Sequence, residues 1–124
     1  AAEETLQFIV SNSATIALKN VLNYPNPFTD RTCFQFNHSL GNTVLDVRIE
    51  IFTITVQRVK TIEGIWTGTE TLSPADCISW DGRDDFGDQL SRGIYLYRVF
   101  VTSNSNGGKG ISGESKFEKL VLLK

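Results

Sequence analysis

The chain has 124 residues, 40 % apolar and 21 % charged, which is the size and composition of one globular domain, and residues 1–124 read as a single unit. No run approaches the roughly 18 consecutive apolar residues that a membrane-spanning helix needs, and Ala1 to Thr5 lacks the basic and apolar stretches of a signal peptide. Twelve basic against fourteen acidic residues give a net charge of −2 with no basic stripe, which argues against a nucleic-acid partner.

Strand-forming residues dominate the ordered-looking runs, and no window carries a long helical stripe. Leu6 to Val10 and Thr15 to Leu22 read as opening strands around the polar loop Ser11-Asn12-Ser13. The second runs into Tyr24-Pro25-Asn26-Pro27-Phe28, where two prolines remove backbone donors and impose a bend that blunts an edge. Arg31 to Asn37 follows, with Phe34 and Phe36 on one face and Cys33 and Gln35 on the other. Thr43 to Thr55 alternates most clearly. Leu45, Val47, Ile49 and Ile51 point inward, while Asp46, Arg48 and Glu50 point to water. Gln57 to Trp66 is the return strand of that hairpin, although Val56 is poor turn chemistry.

Gly64 to Pro74 reads as a loop, Cys77 to Trp80 as a short strand, and Asp81 to Asp88 as two successive turns served by Gly82 and Gly87. Ile94 to Thr102 is apolar or aromatic on both faces, as a central strand would be. A Gly- and Ser-rich hairpin loop spans Ser103 to Gly113, and Ser115 to Leu123 is the last strand. Seven to eight short strands at this spacing predict an all-β fold, an immunoglobulin- or fibronectin-like antiparallel β-sandwich. Trp80 and Tyr95 or Tyr97 are the expected core aromatics.

Catalytic signals are thin. His38 is five positions from Cys33 on one strand, so the two project from opposite faces. Asp81, Asp84, Asp85 and Asp88 lack the alternate spacing and closing Glu of a calcium loop, and read as solvated turn carboxylates. Neither a phosphate loop nor a hydrolase elbow is present. The expectation is a non-enzyme without cofactor or metal. Cys33 and Cys77 both take outward positions on strands that a sandwich could place side by side, and they read equally well as a cross-strand disulfide or as two free thiols.

Three stretches carry a resemblance. They are Tyr24 to Phe28 followed by Thr32-x-Phe34-x-Phe36, Ile78 to Asp88 followed by Gly93 to Val99, and the tail Lys116-Phe117-Glu118-Lys119-Leu120-Val121-Leu122-Leu123-Lys124. In this order, over residues 20–124, they resemble the type A C-terminal sorting domains of the type IX secretion system, immunoglobulin-like relatives of a flagellar hook-capping domain. Within that family they are most like the domain carried by the system's surface sortase. The pattern usually has Gly where Val56 stands.

The resemblance implies a domain exported through the periplasm to the outer membrane and cell surface as part of a larger protein. Its implied partners are the outer-membrane translocon and a shuttle barrel (PorV in the family). In ordinary cargo the sortase removes such a domain; in the sortase itself it is retained. The resemblance also implies recognition through residues 116–124 with Gly93 and Tyr95, while Tyr24, Pro25, Asn26, Pro27, Phe28, Trp80, Asp81 and Gly82 shape the fold. No catalytic region of a sortase is contained in this sequence, so no activity carries over. The competing readings are a fibronectin-like spacer or adhesion module, and a carbohydrate-binding module that stacks sugar on a loop-borne Trp66.

Overall fold

Side chains that alternate between apolar and polar let each strand bury one face, and the described residues, 16–39, 44–66, 77–103 and 111–123 of the computed structural model, form eight such strands. Strands β1 (Leu18–Tyr24), β2 (Thr32–His38) and β5 (Ile78–Trp80) pair in the order β1-β2-β5. The larger sheet contains β3 (Leu45–Phe52), β4 (Arg58–Trp66), β6 (Gly93–Ser103), β7 (Ile111–Glu114) and β8 (Glu118–Leu122). Its order is β4-β3-β6-β7, with β8 lying on β6 beyond β7. Every pairing between these eight strands is antiparallel. The fold is the all-β sandwich expected from the periodicity.

Phe34 and Phe36 from the small sheet pack against Val47, Ile49, Ile51, Tyr97, Val99 and Leu120 from the large one. Phe34 meets Tyr97 edge-on with centroids 4.9 Å apart, and Phe36 stacks on Trp66 at 4.2 Å. Trp66 is therefore no loop residue. It ends β4 opposite Leu45 and is 1 % exposed. Gly64 also belongs to β4, because the pairing with β3 continues through it to Trp66.

Other boundaries differ from expectation. The strand anticipated at Thr15 to Leu22 runs from Leu18 to Tyr24, with a bulge between Lys19 and Leu22 where Asn20 has φ 54°. The strand at Leu6 to Val10 and the Ser11 to Ser13 loop lie outside the described residues. The turn after β3 does contain Val56, at φ 67°; its N–H donates to the Thr53 carbonyl at 2.9 Å, and the Thr53 N–H donates to the Gln57 carbonyl at 3.0 Å.

The closing strand is split. Ile111 to Gly113, expected in a loop, pair with β6, and pairing resumes at Glu118. Between them the Ser115 N–H donates to the Val99 carbonyl at 2.8 Å, and the Val99 N–H donates to Ser115 Oγ at 3.0 Å. A hydroxyl thus stands in for a backbone carbonyl where the chain shifts register.

Candidate functional site

The three stretches singled out in the sequence meet at β8. The exposed Pro25-Asn26-Pro27 bend brings Asn26 beside the outer backbone edge of the terminal strand. The Val121 N–H donates to Asn26 Oδ1 at 3.0 Å, and Asn26 Nδ2 donates to the Lys119 carbonyl at 3.2 Å. Two residues on, Phe28 bridges Leu122 in parallel. Its N–H donates to the Val121 carbonyl at 3.0 Å, and its carbonyl accepts from the Leu123 N–H at 2.8 Å. The Trp-Asp-Gly stretch closes the other side. The Phe28 and Trp80 rings lie 5.6 Å apart, and Trp80 Nε1 donates to the Arg83 carbonyl at 2.8 Å. Gly82, at φ +86°, leaves room for the Leu122 side chain; a Cβ there would lie 3.3 Å from it.

Residues 116–123 divide by face. Leu120 and Leu122 are fully buried, as is most of Tyr95, whose hydroxyl donates to the Ser91 carbonyl at 2.6 Å. Lys119, Val121 and Leu123 face outward, where Val121 pairs with the half-exposed Ile94 and Lys119 with Leu96. Lys116 and Phe117 precede the strand, and Phe117 packs edge-on against Phe52 at 5.4 Å. Gly93, at φ +151°, starts β6 opposite Leu122. Lys124 lies outside the described residues. The backbone edge of β8 that a partner strand would need is already bonded to Asn26 and Phe28, so the accessible part of this element is its outward side chains.

Burial pushes the Tyr97 phenol well above its ordinary range, and the nearby Glu118 carboxylate adds to the effect. Burial also raises Tyr95. Both hydroxyls stay protonated through the neutral range.

Cys33 and Cys77 form a disulfide with Cα atoms 5.6 Å apart, which settles the alternative left open by the sequence. Cys33 is thereby unavailable as a nucleophile. In the Asp81 to Asp88 turns, Asp84 Oδ1 accepts from the Phe86 and Asp88 N–H groups, each at 2.9 Å. Asp81 Oδ1 accepts from Arg83 N–H at 3.1 Å, and Asp85 Oδ1 from Thr61 N–H at 3.1 Å. One oxygen of each of Asp81, Asp84 and Asp85 is thus bonded to backbone N–H groups, and Arg83 and Lys60 lie 3.9 Å from the Asp81 and Asp85 carboxylates.

Glu50 departs from its expected exposure. It lies on the outer face of β3 yet is 8 % exposed, beneath Arg48, Arg58 and Arg98 at 3.4, 3.3 and 3.8 Å. Arg48 lies over the Phe100 ring at 4.7 Å, and Arg98 over Phe100 and Phe117 at 4.8 Å each. The alternation of β3 places Arg48 and Glu50 together on the outer face, but the other two covering guanidinium groups, Arg58 and Arg98, come from β4 and β6, and no local pattern reveals those.

No protein-family model matches the chain, and no curated protein matches it. Among solved structures it is similar to the crystal structure of dimeric latent PorU from Porphyromonas gingivalis, with a TM-score of 0.68 and 26 % identity. The match covers 87 % of this chain and 9 % of that one, so the chain spans about a tenth of the length of PorU. The chain is thus structurally related to a domain-sized part of that protein.

Proposed function

We propose that this chain is a non-catalytic sorting and docking domain of the type IX secretion system, the retained terminal domain of a surface sortase. The observation that carries the reading is the similarity to PorU, a type IX secretion component, across 87 % of the chain. The disulfide adds support, because such bonds persist in oxidising compartments such as the periplasm and cell surface. In this reading the outward side chains of β8 and its neighbour, Lys119, Val121, Leu123 and Ile94, meet the outer-membrane shuttle barrel. Asn26, Phe28, Trp80 and Gly82 hold the strand in place for that contact. Leu120, Leu122 and Tyr95 contribute through the fold alone. The carbohydrate-binding reading loses its motivation, since Trp66 is stacked inside the core.

The test is transport of a fluorescent reporter that carries a secretory signal peptide and these 124 residues, in a bacterium with this secretion system. Surface exposure is followed by added protease, and the fate of the tail by intact mass. Delivery with an uncleaved tail is expected, together with loss of delivery in Val121→Asp/Leu123→Asp while the purified variant still unfolds cooperatively. Periplasmic retention of the folded parent sequence would sink the proposal.

A further inference from the structure

On the outer face of the five-stranded sheet three arginines gather around one carboxylate. Arg48 and Arg58 share Glu50 Oε2, while Arg98 reaches Oε1. Three guanidinium groups on one carboxylate leave two positive charges held close together. Each arginine spends a single nitrogen on Glu50, so most of the donors in each planar fork point elsewhere. Arg98 Nε is buried and has no hydrogen-bond partner among the described residues. The side chains are half-exposed or nearly so at Arg48 and Arg58, 48 % and 57 %, and 29 % exposed at Arg98.

The surroundings decide where an anion could sit. Beyond Arg48 the face turns acidic, with Asp46, Glu63 and Glu114 lining the same groove. At the Arg58 and Arg98 end the neighbours are the rings of Phe52 and Phe117, with Arg98 at 5.8 and 4.8 Å from their centroids. Phe52 also separates Arg58 from Leu96 in the register of β4, β3 and β6. Aromatic faces hold a guanidinium in a fixed plane and exclude water from one side of it, which favours directed bonds to an oxyanion.

We propose that Arg58 and Arg98, backed by Arg48, form a binding site for a phosphate group. A phosphate monoester carries a charge of about −1.5 to −2 near neutral pH, which complements the Arg58 and Arg98 guanidinium groups, and its tetrahedral oxygens suit planar guanidinium forks. Glu50 holds the three arginines together when the site is empty and competes with the incoming anion when it fills. The chemistry is shared by a lipid headgroup phosphate and by a free phosphate ester.

The arginine Nε–H resonances of the 124-residue chain would be followed in sodium phosphate against sodium chloride at equal ionic strength. Saturable shifts at Arg58 and Arg98 are expected. Binding should weaken about tenfold in Arg58→Gln, the loss of one charged hydrogen bond. It should tighten in Glu50→Gln, which removes the competing carboxylate; a purely structural ion-pair network predicts no gain. Shifts no larger than those in chloride, or equal in Arg58→Gln, overturn the site. Vesicles of phosphatidylcholine with phosphatidic acid or with phosphatidylglycerol separate the sources. Cosedimentation with phosphatidic acid alone supports a lipid monoester, and phosphate binding without cosedimentation supports a soluble one. Equal cosedimentation with both anionic lipids overturns a phosphate-specific site in favour of general charge attraction.

Discussion

Asn26 stands in for a neighbouring strand beside Val121: its side-chain oxygen receives the Val121 N–H at 3.0 Å, across 95 positions of sequence. The same amide donates to the Lys119 carbonyl at 3.2 Å, so one side chain satisfies both a donor and an acceptor on the edge whose next groups bond Phe28. A terminal strand whose edge is closed in this way is protected from pairing with other chains. It leaves only its outward side chains for recognition.

Replacing Asn26 with Ala should destabilise the fold by about 1–2 kcal/mol, the net worth of its two bonds to β8. The Val121 amide should exchange faster with solvent, while the Leu123 amide, bonded to the Phe28 carbonyl, changes less. Urea unfolding and amide hydrogen exchange check both statements. Equal acceleration at the two positions would show that the whole strand detaches.

Reduction of Cys33–Cys77, or the double replacement by Ala, should lower stability by up to about 4 kcal/mol, because the bond closes a separation of 44 positions. The same urea curves with and without reductant measure the difference. The small sheet should suffer most, since β5 has three residues and pairs only with β2 among the described strands.

Gly113→Ala should destabilise by about 1–3 kcal/mol through overpacking. A methyl group there would overlap the Ile16 carbonyl oxygen, and Ile16 is a fully buried core residue held by its N–H to the Ser112 carbonyl at 2.8 Å. Thermal unfolding of the variant checks this, and an unchanged midpoint would mean that Ile16 can move aside freely.

Stability should fall in alkali as the tyrosines titrate. The folded Tyr97 phenol ionises well above its ordinary value, so the unfolded chain releases that proton first. The contribution is intact below the unfolded value near pH 10 and is lost as pH rises from there toward the folded one. Urea midpoints at pH 8 to about 11, with absorbance near 295 nm for tyrosinate, test the sign, and Tyr97→Phe should flatten the decline.

Much of the fold is legible in the chain itself. Leu45, Val47, Ile49 and Ile51 announce their buried face by strict alternation, and Phe34 and Phe36 do the same on β2. Reading stops where the covering atoms are distant in sequence. Glu50 continues the polar phase of β3 yet is buried, because Arg58 comes from β4 and Arg98 from β6. Trp66 sits between glycines that look like turn chemistry, and only its stacking on Phe36 places it inside. Ser115 splits the closing strand through a hydroxyl that binds Val99, a contact with no periodic signature.

By itself the sequence determined strand type, face and the gathering of motifs at three places, since alternation and turn chemistry act between near neighbours. The tertiary structure alone decided which backbone edges are closed, that the two cysteines bond, and which arginines share a carboxylate. Hydrogen bonds and ion pairs of this kind form between groups that only the packing of the two sheets brings within about 4 Å, and periodicity along a strand carries no information about what lies across from it.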